Sequence, residues 1–166
     1  MIFRFKKGTH RARPLYWLRW FPIRFNPRQI SRKVTFTHHS KYWLPGIDQQ
    51  DHNKLFGVGF MHPKRDSARF GWRYDTEQET FILSAFIHSR GIMSFVDLCK
   101  VNVNTTVTCR LLILSNTYTF EVIKGDGYAQ ASIILPKNHN RKWAFLLGPY
   151  FGGNRPAPDD LKIELK

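Results

Sequence analysis

The chain has 166 residues, with 26 Lys and Arg against 12 Asp and Glu, and a formal charge of +14. That length suits one domain plus an appendage with an adequate core of its own, and the charge predicts a negatively charged partner. Two cysteines are too few for a disulfide framework. No run approaches the roughly 18 apolar residues of a membrane helix. The best N-terminal candidate, Leu15 to Phe25, is broken by Arg19, Pro22 and Arg24, so neither a spanning anchor nor a secretory leader is expected and the cytoplasm is the expected location.

The charge is unevenly placed. Eleven Lys and Arg fall in the first 47 residues, ahead of the first carboxylate, Asp48. Residues 1–47 therefore read as a basic aromatic arm, and residues 48–166 as the folded domain. In the arm Phe3, Phe5, Tyr16, Trp17, Trp20, Phe21 and Phe25 are interleaved with cations. Disordered tails carry few aromatics, so these rings predict an arm ordered against something.

Short runs alternating apolar and polar residues, separated by Gly, Asn, Asp and Pro clusters, predict strands. In chain order they fall near Lys33–Thr37, Lys54–Met61, Ala68–Tyr74, Thr80–His88, Ile92–Val101, Thr106–Leu114, Tyr118–Lys124, Tyr128–Leu135, Trp143–Leu147 and Leu161–Leu165. In the third of these, Ala68, Phe70, Trp72 and Tyr74 share one face and Arg69, Gly71 and Arg73 the other, a core side and a wet side. Ten such strands with two- to five-residue connections, and no helical period, predict an all-β antiparallel β-sandwich of jelly-roll type. A hairpin near Asn104 would set Cys99 opposite Cys109; otherwise each is an apolar filler in a reducing compartment.

Three readings of the arm stand side by side. Arg4, Lys6, Lys7, Arg11, Arg13, Arg19 and Arg24 neutralise phosphates while Trp17 and Trp20 stack on unpaired bases. Alternatively, the rings pack on the sandwich, or the arm drapes over another subunit of a larger assembly. The string GPYFGGNRPAPDDLKIELK reads first as a structural corner, with Gly152 and Gly153 in the turn and Pro156 and Pro158 stiffening the crossing. If the corner binds something, Tyr150, Asn154 and Arg155 are its contacts. His38 and His39 point to opposite faces if they lie on a strand, and no ligand spacing surrounds them, so no metal or cofactor site is expected. No phosphate-binding glycine loop or nucleophile elbow is present.

The strings KLFGVGF, ARFGW, SNTYTFEV and LGPYFGGNRPAP, with HRARP in the arm, resemble small proteins of Bacteroidetes and their phages, including crAss-like phages. The resemblance implies a bacterial host cytoplasm or a virion, and no particular activity. The layout is similar, more loosely, to concanavalin-like jelly rolls: lectins, laminin-G-type modules and some polysaccharide lyases. Alginate lyases of that kind imply an amide or arginine on the uronate carboxylate and a Tyr or His as base. Arg69 and Arg73 share a face, and Tyr150 opens a YFGG string resembling the lyase YFK. The lyase Gln-any-His string, however, is replaced by Phe86-Ile87-His88. The expectation is therefore a non-enzymatic, phage-type binding or assembly module whose arm contacts nucleic acid or an acidic protein. The alternative is a carbohydrate-binding module, less readily a lyase, using Arg69, Arg73, Tyr150, Asn154 and Arg155.

Overall fold

The structure, a computed structural model, describes residues 1–14, 22–60, 62–125 and 129–166. Twelve strands lie among them: β1 Ile2–Phe5, β2 Ile23–Phe25, β3 Gln29–Phe36, β4 Asn53–Gly59, β5 Ser67–Asp75, β6 Thr80–Ser89, β7 Ile92–Val101, β8 Thr106–Ile113, β9 Thr117–Ile123, β10 Ala129–Pro136, β11 Trp143–Leu147 and β12 Leu161–Leu165. They form two six-stranded antiparallel sheets, β1-β12-β3-β8-β9-β10 and β2-β11-β4-β5-β6-β7. All ten expected strands are present, and the antiparallel sandwich is the observed architecture.

Aromatic faces hold the layers together. Trp72 of β5 is fully buried between Phe36 of β3 and Phe81 of β6, with ring centroids 5.3 and 5.9 Å away. Phe70 of β5 meets Phe120 of β9 edge-on at 5.2 Å. Each ring buries apolar area worth roughly 1.5–3 kcal/mol, and the offset and edge-on geometries add to it. Alternation along β5 places Ala68, Phe70, Trp72 and Tyr74 in this core, as their spacing predicts.

Residues 1–47 do not stand apart from the sandwich. β1 pairs with β12, and β3 lies between β12 and β8, inside the first sheet. Phe3 and Phe5 are buried while Arg4 points to solvent, so the interleaving of rings and cations here is strand alternation. Beyond β1 the chain stays attached: Gly8 N–H donates to Ala157 O at 2.8 Å and Ala157 N–H to Thr9 O at 3.0 Å. The boundary expected at residue 47 thus falls within one continuous fold. Tyr16, Trp17, Arg19, Trp20 and Phe21 lie outside the described residues.

The segment around Asn104 also departs from expectation. β7 pairs with β6, whereas β8 pairs with β3 and β9, so the chain changes sheets here and makes no hairpin. Asn104 takes a left-handed turn (φ 62°), and its N–H donates to Phe36 O at 2.7 Å. Cys99 and Cys109 consequently sit in different sheets, and both are free thiols. Burial pushes both thiols up, Cys109 further.

Candidate functional site: a cationic groove on the second sheet

The outward face of the second sheet can be read from its register as three cross-strand rows. In one, Tyr150 lies between Arg11 and Lys54, and the row continues through Gly71, Ser84 and Asp97. The next runs Leu147, Gly57, Arg69, Phe86 and Phe95; the third runs Phe145, Gly59, Ser67, His88 and Met93. Gly57, Gly59 and Gly71 are buried in this face, closely covered by Arg69, Leu147 and Ser84 respectively. A Cβ on Gly57 would come within 2.1 Å of Ala68 O, and one on Gly71 within 2.5 Å of Ser84 Oγ. The turn at His62, Pro63 and Lys64 borders the same face.

The result is a groove of about 690 Å³. Its described lining includes four formal cations, Arg11, Lys54, Lys64 and Arg69, the histidines His62 and His88, and Tyr150, with no carboxylate. None of the four cations forms an ion pair with a described carboxylate. Lys54 Nζ donates to His52 O at 2.5 Å and lies 4.3 Å from the centre of the Phe86 ring. Burial, followed by the nearby Arg69 guanidinium, pushes Lys54 down to about 8. Burial likewise lowers Arg69 to about 10, and its Nε is enclosed without a hydrogen-bond partner. The site is thus positively charged, partly desolvated and free of ion pairs among the described residues, an arrangement that favours an anion.

His88 brings a base to the same surface. Ser67 Oγ donates to Pro63 O at 2.7 Å and accepts from His88 Nδ1 at 3.4 Å, which leaves Nε2 as the ring's acceptor. Burial first, then Arg69, Lys54 and Lys64, hold His88 neutral by lowering it to about 4. Tyr150 is fixed by its backbone, with N–H to Lys54 O at 3.0 Å and O from Lys54 N–H at 2.8 Å. Its ring stacks on His10, with centroids 5.4 Å apart and planes 10° from parallel.

Of the five glycan-contact residues expected from the sequence, Arg69 and Tyr150 line this groove. Arg73 is committed elsewhere: its NH1 and NH2 grip Asp97 at 2.8 and 2.7 Å, and NH1 also reaches His52 Nε2 at 3.1 Å. Arg155 Nε pairs with Asp48 at 3.0 Å, and Asn154 anchors the corner through its backbone N–H to Asp51 at 3.3 Å. The expected arm cations are dispersed. Arg4 and Arg13 bridge each other at the free edge of β1, Lys6 and Lys7 lie at the following turn, and Arg24 lies on edge strand β2, while Arg11 joins the groove. Sequence reasoning missed Lys54, His62, Lys64, Phe86 and His88 as a group. The glycines alternating in Phe56-Gly57-Val58-Gly59 were the available signal, because paired glycines on one strand face mark a close approach or a low surface.

No protein-family model and no curated protein matches the chain. Solved structures do. A functionally unknown protein from Saccharomyces cerevisiae superposes with a TM-score of 0.58 at 11% identity, over 87% of this chain and 70% of that one. The alginate lyase of Klebsiella pneumoniae gives 0.56 at 12%, over 83% and 57%, so this chain spans little more than half of that enzyme. A pseudo β-1,3-glucanase of Mycobacterium tuberculosis gives 0.56 at 11%, over 99% and 71%. None of these three comes from a Bacteroidete or a phage. At such identities the likeness is one of fold, and the fold is the concanavalin-like jelly roll.

Proposed function

We propose that this chain is a carbohydrate-binding protein whose groove takes an acidic saccharide. The observation carrying this reading is the groove itself, with four cations, no described carboxylate and a volume suited to a few sugar rings. Its place on a jelly roll similar to a pseudo-glucanase and an alginate lyase is a second support. Arg69 and Lys54 bind the charged group, and Tyr150 and Arg11 form one rim.

The test is affinity for soluble polyuronates against neutral glucans across a salt series. Binding to the acidic polymer that weakens with salt and falls at least tenfold in Arg69→Ala is expected. Binding only to nucleic acid, unaffected by Arg69→Ala, would replace this reading with phosphate-backbone contact by the dispersed surface cations.

The neutral His88, acted on by Arg69 in a groove that Tyr150 also lines, favours a second reading: β-elimination of a uronate. Arg69 would neutralise the carboxylate, His88 would take the proton next to it, and Tyr150 would protonate the leaving oxygen. Ultraviolet absorbance from an unsaturated uronate in the same samples, abolished by His88→Ala, is its signature.

A further inference from the structure

From the pairing of Lys54 with Arg69 we infer that the charged group recognised in the groove is a phosphomonoester. This rests on the saccharide-binding reading and deepens it. Lys54 pairs with Gly71, and Arg69 is two residues before Gly71 on the same face, so across the register shift at Lys54–Phe56 the two cations are diagonal neighbours. Both side chains are partly buried, and neither makes an ion pair within 4.0 Å of a carboxylate among the described residues. Asp51, the carboxylate that acts on Lys54, accepts from the backbone N–H of Asn154 and is packed against Gly153.

Two like charges held together out of water call for two negative charges in one compact group. A carboxylate or sulfate ester brings one, and a phosphomonoester brings nearly two at neutral pH. Shape points the same way. Arg69 Nε is enclosed, which leaves the two terminal nitrogens of its guanidinium to meet a ligand. A tetrahedral head has three terminal oxygens to share between those nitrogens, the Lys54 ammonium and the rim. His88 Nε2, an acceptor, receives the proton of the monoanion or a sugar hydroxyl beside it. A phosphate alone fills only part of about 690 Å³, which leaves room for the sugar that carries it.

The experiment is calorimetric titration of the full chain with a hexose 6-phosphate, the matching hexose 6-sulfate, the matching uronate and a nucleoside 5′-monophosphate. The hexose phosphate is expected to bind at least tenfold more tightly than the sulfate and the uronate. Lys54→Met, which keeps the stem over Phe86, should bring the phosphate down to the level of the other two. Arg69→Lys should weaken all ligands, and thermal midpoints identify any variant that has lost its fold. A nucleotide binding as tightly as the hexose phosphate upholds the phosphomonoester seat and assigns it a different carrier. Uronate or sulfate binding equal to or tighter than phosphate overturns the inference and leaves acidic-saccharide binding standing. Silence from every ligand, with polyuronates also unbound, removes both.

Discussion

His52 is held neutral by its neighbours. Its Nε2 faces the Arg73 guanidinium at 3.1 Å, and so must accept, which places the proton on Nδ1 toward Ser84 Oγ at 2.8 Å. Burial, reinforced by Arg73, lowers it to about 4, against the opposing pull of Asp97. In the unfolded chain the ring takes up a proton near 6.5, so the unfolded state binds more protons between about 6.5 and 4. Stability contributed by the neutral ring is therefore full above that window and lost as pH falls through it. After allowance for solvent screening we expect a loss of about 2 kcal/mol from His52, with His88 adding in the same direction. Thermal midpoints measured from pH 7 to 4 check this: His52→Gln, which keeps an acceptor for Arg73, should flatten the decline. At the same scale, Arg11→Ala should weaken acidic-saccharide binding several-fold while Arg4→Ala leaves it unchanged, because only the former lines the groove.

At the scale of elements, the sheet that carries the groove depends on close approach at its glycines. Gly71→Ala would drive a methyl group into Ser84 Oγ, which is hydrogen-bonded to His52 Nδ1 at 2.8 Å, and toward the backbone oxygen of Asn53, 3.3 Å away. We expect a cost of about 1–3 kcal/mol and a parallel loss of ligand affinity, measured by denaturant unfolding and titration. β3 is the other critical element. It joins β12 to β8, and its Val34 and Phe36 are fully buried. Removing residues 1–47 deletes β1, β2 and β3 together, so the remainder should show no cooperative unfolding transition. Any role of the N-terminal cations has to be tested by substitution, since truncation would remove the fold along with the charge.

Across the whole molecule, segregation of charge along the sequence does not survive as segregation in space. Arg4 and Arg13 bridge each other at the edge of the first sheet and Arg24 lies on the second, whereas Arg11, Lys54, Lys64 and Arg69, spread over 59 residues of sequence, converge on one groove. A jelly roll produces this because most of its contacts are between residues distant in sequence. The ten strands from β3 to β12 other than β1 and β2 were legible because period-two alternation and turn residues are local signals, set by backbone geometry. β1 and β2 were not, since four and three residues leave too short a pattern to stand out against their cations. Arg69 and Tyr150 could be picked out as candidates, but Arg73 looked equivalent to Arg69 until Asp97, on a strand two places away in the sheet, proved to neutralise it. The sequence by itself determined the strand positions, the inward faces and the excess of positive charge, all of which follow from residue type and spacing. Which cations stay out of ion pairs, which glycines the neighbouring side chains cover and which residues meet in the groove was decided only by the tertiary structure, because strand order and register are set by packing between segments that carry no mark of one another.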